Sequence, residues 1–124
     1  MTVPDYQSLM FPLLAFCNDS NEHNAQEAVD ALATQFQLTA TEKNELLPSG
    51  KQTRFANRVG WARTYLKKAK LIESTARGKF KITERGKQFL RTNHETKISA
   101  KDLEQFAEYL EFKKQSNSNS DPQD

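Results

Sequence analysis

The residues that could carry out catalysis in this 124-residue chain are few and widely separated. Glu111 and Lys113 form a Glu-x-Lys pair, which some nucleases combine with an upstream aspartate to hold a divalent metal ion. Here the pair falls at the end of a predicted helix, and no predicted β-sheet lies nearby to fix the metal ligands. We therefore expect that this pair is not catalytic.

The single cysteine and the two histidines offer no other reactive site. Cys17 has no basic neighbour and lies on an apolar helix, which favours a buried structural thiol over a nucleophile. His23 and His94 have no zinc-finger partners and are typical of turn or surface histidines. Gly78 and Gly86 do not form a phosphate-binding loop. The sequence predicts no enzyme activity for this chain by itself, and neither a metal ion nor a cofactor.

The net charge of +2 hides a strong segregation of charge along the sequence. Residues 51–91 contain thirteen basic residues and only two acidic ones, Glu73 and Glu84, so this segment carries +11 and the remainder −9. Like charges at this density repel one another, and a bound polyanion relieves the repulsion while counterions are released. The pattern predicts a nucleic-acid-binding surface. The alternative is a solvated basic face on a protein of another function, although ordinary surfaces mix both signs.

Three helical segments precede the basic region. Apolar residues at helical spacing predict helices over residues 4–16 and 25–36, separated by turn-forming residues. Thr39 or Thr41 can cap a short third helix that runs to Leu47, where Pro48, Ser49 and Gly50 end it.

A long helix is predicted from Thr53 to about Lys70. Its narrow apolar stripe consists of Phe55, Val59, Ala62, Leu66 and Ala69. The opposite face, at ~100° per residue, holds Thr53, Asn57, Gly60, Thr64, Lys67 and Lys68. One flank carries Arg54, Arg58, Trp61 and Tyr65. Gly60 costs about 1 kcal/mol of helix propensity relative to alanine, so we expect another helix or a nucleic acid to approach the backbone there.

A β-hairpin with a basic tip follows the long helix. Residues 71–74 and 80–82 are predicted strands, and Thr83 then caps a helix that runs to about Arg91. A series of helices followed by a hairpin is the order of a winged helix-turn-helix, a mainly α fold with a small β-hairpin. In such domains the helix before the hairpin enters the major groove of duplex DNA, and the hairpin, or wing, reaches the neighbouring backbone.

The candidate DNA contacts lie on the outward face of the long helix and on the wing. They are Lys51, Gln52, Thr53, Arg54, Asn57, Arg58, Thr64, Lys67, Lys68, Arg77 and Lys79. Asn57 can bond adenine with both of its polar atoms, and Arg54 or Arg58 can meet guanine or phosphate. Trp61 is interpreted as a core or inter-helix packing residue, with contact to a methyl group or an extruded base as the alternative.

The C-terminal part is predicted to form one more helix over residues 99–112, with Ser99 as its N-cap. Its stripe of Leu103, Phe106, Ala107 and Leu110 requires a partner, which is the domain itself, a second copy in a homodimer, or a downstream domain. Residues 113–124 are expected to be a disordered tail or linker, so the domain spans residues 1–112. The chain has neither a membrane-spanning run nor a secretory signal, and a cytoplasmic location is expected.

Several stretches together resemble the N-terminal domain of the Mrr restriction protein family. The main one is RFANRVGWARTYLKKAKLIE, residues 54–73, and VPDYQSLMFPLL, LLPSGKQTRF and ITERGKQFL fit the same pattern. The resemblance implies a winged-helix domain that binds duplex DNA, methylated DNA included, as the targeting part of a restriction system for modified foreign DNA. It also implies that the nuclease domain of full-length members lies beyond this chain.

Two functions from different classes remain open at this point. One is a DNA-binding module, and the other is a winged helix that binds proteins or regulates transcription. A protein-binding version should display an exposed apolar patch, whereas the outward face predicted here is polar and basic. The charge segregation therefore favours DNA binding, and a nuclease is a distant third.

Overall fold

The computed structural model describes residues 4–92, 98 and 100–115. The α-helices are α1 Tyr6–Phe16, α2 Ala25–Gln35, α3 Ala40–Asn44, α4 Arg54–Lys68, α5 Glu84–Thr92, α6 Ala100–Leu103 and α7 Ala107–Gln115. The strands are β1 His23–Asn24, β2 Ile72–Ala76 and β3 Lys79–Ile82, and a single 3₁₀ turn, Cys17–Asp19, follows α1. This arrangement confirms the predicted mainly α, winged-helix-like fold. None of the helices in the described part of the chain is long and apolar enough to cross a membrane.

Side-chain caps set where the first helices begin. The Asn24 side chain accepts a hydrogen bond from the Glu27 N–H (2.8 Å), and Glu27 accepts one from the Asn24 N–H (2.9 Å). Thr39 and Glu42 form the same reciprocal box at the start of α3. Thr39 is therefore the cap, and α3 ends at Asn44, three residues before the predicted end.

The sheet has three antiparallel strands in the order β1-β3-β2. The hairpin of β2 and β3, called the wing below, was predicted. Strand β1 was not, because residues 18–21 were expected to form a turn and no strand was predicted at His23 and Asn24. His23 pairs with Phe80 and Asn24 with Lys79, so this two-residue strand forms by pairing with the wing. Gly78, with φ of +75°, makes the tight turn at the tip of the wing.

The core lies between α1 and α4. Leu9, Met10, Leu13 and Leu14 of α1 are fully or almost fully removed from solvent. The predicted stripe of α4, Phe55, Val59, Ala62, Leu66 and Ala69, is buried in every member. The helical phase of α4 is therefore confirmed, and its other side is available for contacts with other molecules.

The end of α4 is joined to α5 by Thr83, the predicted cap. The Thr83 hydroxyl donates to the Lys70 carbonyl oxygen (2.7 Å) and accepts from the Gly86 N–H (3.0 Å). The Arg85 guanidinium donates to the Ala69 carbonyl oxygen (2.9 Å). These bonds hold the start of α5 against the end of α4 and so position the wing between them.

The C-terminal segment differs from the single helix that was predicted. It forms α6 and α7, and Phe106 lies at the break, with its ring 5.8 Å from that of Phe89. The break changes the helical phase, so that Tyr109 is buried and Leu110 is 39% exposed. Thus α7 packs on α4 of its own domain, through Tyr109 and Phe112 against Tyr65.

The domain boundary predicted at residue 112 falls inside α7. This helix continues to Gln115, three residues into the segment that was expected to be disordered. The Ser99 cap, His94 and the tail from residue 116 lie outside the described residues.

Candidate nucleic-acid interface

A tight hairpin-like loop presents the start of α4. The Leu47 N–H donates to the Gln52 carbonyl oxygen (3.0 Å), and the Gly50 N–H donates to the Leu47 carbonyl oxygen (2.8 Å). Lys51 and Gln52 are consequently exposed directly before the helix. Thr53 serves as the N-cap, because its hydroxyl oxygen accepts from the Ala56 N–H (3.1 Å).

The outward face of α4 contains a shallow concavity of about 240 Å³, called the helix-face concavity below. It is lined by Gln52, Asn57, Gly60, Trp61, Arg63 and Thr64. Asn57 Nδ2 lies 3.5 Å from Gln52 Oε1, at the limit of hydrogen bonding. Trp61 is half-buried against the core, as predicted, yet it also lines this concavity.

A second, larger concavity of about 700 Å³ lies between α4 and the wing. This wing cleft is lined by Arg63, Thr64, Lys67 and Lys68 of α4 and by residues 74–78 of the wing. Of the predicted contacts, the fold therefore brings Thr64, Lys67, Lys68 and Arg77 together. None of the described residues that line the cleft is acidic, so the cleft carries positive charge and is suited to anions.

Arg63 lines both concavities, although it is not among the contacts predicted from the sequence. Its Cζ lies 5.8 Å from the centre of the Phe80 ring, which holds the side chain between α4 and β3. The helical pattern of α4 assigned Arg63 to no face, and only the position of the wing shows that its side of the helix lines a cleft. Its spacing of three residues from Gly60 and four from Lys67 was the available signal.

Arg54 and Arg58 have partners elsewhere in the domain. Arg54 Nε donates to Glu45 Oε2 (2.6 Å), and Arg58 Nη1 donates to the Pro4 carbonyl oxygen (3.4 Å). Neither arginine lines the helix-face concavity or the wing cleft. Both therefore fasten α4 to other segments of the chain, in addition to any contact with DNA.

The wing presents Arg77 and Lys79 to solvent in different settings. Arg77 lines the wing cleft, whereas Lys79 Nζ lies 3.7 Å from Glu22 Oε1, just before β1. A hydrogen bond with Thr75 and the nearby charge of Lys79 lower the pKa of Glu22. Glu22 is thus ionised near neutral pH and offsets part of the positive charge of Lys79.

Cys17 and His23 contribute to the structure of the core edge. His23 was expected in a turn or on the surface, but pairing with β3 buries it, and its Nε2 lies 2.9 Å from Asp19 Oδ1. Hydrogen bonds from Asn21 and His23 lower the pKa of Asp19. Burial and the Asp19 charge raise the pKa of Cys17 to about 12, as expected of a structural thiol.

Possible metal ligands were sought in the part of the chain that the structure describes. Within residues 4–92, 98 and 100–115, there is no group of three or more His, Cys, Asp or Glu side chains close enough together to hold a metal ion. Glu111, of the Glu-x-Lys pair, is exposed on α7.

Fold and site define a winged-helix-like domain with a basic cleft between its long helix and its wing. The sequence profile of the Mrr N-terminal domain matches residues 6–92, from the start of α1 to the end of α5, and the chain belongs to this family.

One curated relative shows how far the similarity extends. The chain is similar to the type IV methyl-directed restriction enzyme EcoKMrr of Escherichia coli strain K12, with 36% identity over 87 residues. The match covers 69% of this chain and 28% of that enzyme, so the chain spans well under half of its relative. No solved structure is significantly similar to the chain.

Proposed function

We propose that this domain binds duplex DNA through α4 and the wing, and that it has no catalytic activity of its own. The wing cleft carries the proposal, because Arg63, Lys67, Lys68 and Arg77 converge there without an acidic neighbour in its lining. Phosphate groups neutralise such a cluster and release condensed counterions.

The two concavities lie side by side along α4, and this position supports binding of the helix in a DNA groove. Thr64 and Arg63 line both of them, so the helix-face concavity and the wing cleft lie next to each other along α4. A recognition helix in the major groove with a wing on the adjacent backbone requires this arrangement of a polar face beside a cationic cleft.

Base reading is assigned to the N-terminal half of α4. Gln52 and Asn57 carry amide groups that can bond both adenine N6 and N7, and both line the helix-face concavity. The Lys and Arg side chains of the wing cleft have the chemistry of phosphate contacts, which position a protein and carry no sequence information.

Family membership supports a finer assignment to a restriction system. The similar enzyme is described as methyl-directed, and we propose that this domain targets modified duplexes for a nuclease domain in a longer protein. The outer face of α7, where Leu110 is exposed, is the surface proposed for a second copy in a homodimer.

A titration against plain and methylated duplexes at ~50 and ~200 mM salt tests the proposal. A domain that makes several phosphate contacts loses orders of magnitude in affinity over this range. Lys67→Ala should weaken binding and reduce the salt dependence, whereas Lys101→Ala, an equal charge change at an exposed position of α6, should not. Affinity that is insensitive to salt, or equal effects of the two variants, would contradict DNA binding through the cleft.

A further inference from the structure

Gly60 lies near the middle of α4, where glycine is an unfavourable residue. A glycine inside a helix destabilises it by roughly 1 kcal/mol relative to alanine, because the unfolded chain is more flexible and no side chain packs. Such a residue is explained when a Cβ atom would collide with something or when the backbone needs a positive φ.

The fold explains each of the other three glycines of the chain. Gly50 and Gly78 have φ of +71° and +75°, which residues with side chains rarely adopt. A Cβ atom at Gly86 would overlap the Leu71 carbonyl oxygen and lie 2.7 Å from Ile82 Cγ1.

The fold does not explain Gly60. A Cβ atom added there would meet no other part of the described chain within 4 Å, apart from the adjoining backbone of α4 itself, and the φ of Gly60 is not positive. An alanine would therefore fit the domain without strain and favour the helix. The sequence suggested that either another helix or a nucleic acid approaches the backbone at Gly60. No helix of the described chain occupies the space next to it.

The surroundings of Gly60 show what kind of molecule fits there. Gly60 lines the helix-face concavity and also a neighbouring concavity of about 210 Å³ between α2, α4 and β3. The helix-face concavity has mainly polar side chains around it, namely Gln52, Asn57, Arg63 and Thr64. The neighbouring concavity is lined mainly by apolar residues, and Gln26, Gln52 and Arg63 are the polar residues of its lining. Among the described residues, no acidic side chain lines either concavity and the Arg63 guanidinium lines both, so the surface around the bare helix backbone suits an anionic partner.

We infer that Gly60 is the point at which α4 approaches DNA most closely, with the helix backbone itself against the edges of the bases. This inference rests on the proposed DNA binding. A Cβ atom at this position would collide with the bound DNA, although it would not collide with the protein. Gly60 is accordingly a positioning residue that sets the depth of α4 in the groove, and Asn57 and Thr64, one turn away on either side, depend on that depth for their contacts.

Gly60→Ala and Gly60→Gln provide the test, since both residues favour helix formation and differ in size. Each variant is compared with the parent and with Thr34→Ala, a helix-favouring change at an exposed position of α2. Melting temperature and affinity for one duplex are measured for all four proteins. Gly60→Ala should raise the melting temperature by about 4 °C or more.

The same variant should nevertheless bind DNA less tightly. Gly60→Ala should lose about tenfold in affinity, equivalent to one lost base contact, and Gly60→Gln should lose more. Thr34→Ala should also melt higher than the parent but should bind DNA like the parent. A gain in stability together with a size-graded loss of affinity is a result that a purely structural glycine would not produce.

Other outcomes overturn the inference in distinguishable ways. If the parent binds duplex DNA and both Gly60 variants bind equally well, the close approach is wrong and the proposed function stands. If the parent binds no duplex, both are wrong. A lower melting temperature for Gly60→Ala would assign the glycine to the fold. A parent dimer that Gly60→Ala converts to monomers, with unchanged DNA affinity, would assign the space to a second copy of the chain.

Discussion

The Glu22 carboxylate lies 3.7 Å from the Lys79 ammonium group, which places an acidic side chain at the edge of the basic wing. The contact joins the residue before β1 to the first residue of β3, and β1 itself pairs with β3. A bound phosphate would have to compete with Glu22 for Lys79 and would be repelled by the carboxylate.

Glu22→Gln should therefore raise the affinity for duplex DNA by a fewfold and should steepen the salt dependence by a slope of about 1, because Lys79 gains a phosphate contact. Asp30→Asn is the matched control, since Asp30 pairs with Lys43 at the same distance of 3.7 Å but away from the wing. Titrations at several salt concentrations measure both quantities. An equal gain for the two variants would show that net charge, and not the contact with Lys79, is responsible.

Gly86→Ala should destabilise the domain because the new methyl group would collide with the Leu71 carbonyl oxygen and Ile82 Cγ1. Overpacking of this kind costs typically about 1 to 3 kcal/mol, and the backbone oxygen has little freedom to move. Urea unfolding of the parent and the variant measures the loss. A variant as stable as the parent would mean that α5 shifts away from the end of α4, which the bonds of Thr83 and Arg85 should prevent.

Local signals were sufficient to predict the elements that carry the proposed interface. The apolar stripe from Phe55 to Ala69 defined the phase of α4, since each member recurs at a spacing that only a helix places on one face. Thr83 was predicted as a cap for a similar reason, because threonine before a helical pattern can bond the free N–H groups of the first turn.

Contacts between distant segments were beyond the reach of the sequence. Strand β1 is only two residues long, and its identity depends on Phe80 and Lys79, more than fifty residues away. The burial of His23 follows from that pairing. The break likewise falls at a residue with distant contacts, because the Phe106 ring packs on Phe89 and lies 4.9 Å from the Arg85 guanidinium. Arg63 was missed because the wing forms part of its surroundings. A helical projection of α4 shows only the helix and not the wing beside it.

Glu108→Gln should make the domain less stable near neutral pH but not in acid. A hydrogen bond from Arg85, 2.9 Å away, lowers the pKa of Glu108 below its usual range of about 4.3. A carboxyl group with a lowered pKa in the folded state stabilises the fold above the pKa of the unfolded state and loses this effect as the pH falls through the folded pKa.

The difference in melting temperature between parent and Glu108→Gln should accordingly be small and positive at pH 7, because the pair is exposed to solvent. It should begin to shrink as the pH falls below the unfolded pKa of about 4.3 and should vanish only below the lowered pKa of the folded state. Thermal unfolding between pH 3 and 7 measures it. A difference that stays constant across this range would show that the charge of Glu108 does not act through Arg85.

The two parts of the proposed interface should differ in what their residues contribute to binding. Asn57 lines the helix-face concavity, where base reading is proposed, whereas Arg77 lines the wing cleft, where phosphate contacts are proposed. Asn57→Ala should reduce discrimination between sequences or modification states by about 1 to 3 kcal/mol if both of its polar atoms contact one base. Arg77→Ala should weaken binding to all duplexes alike and lower the salt slope by about 1.

Titrations of both variants against a panel of plain and methylated duplexes separate these effects. Lys79→Ala is the internal comparison on the wing, and its salt slope should change less than that of Arg77→Ala because Glu22 already competes for this lysine. If Asn57→Ala bound every duplex like the parent while Arg77→Ala changed the sequence preference, the reading surface would be the wing. Gly60 would then set how closely α4 approaches the DNA backbone, and not how closely it approaches the base edges.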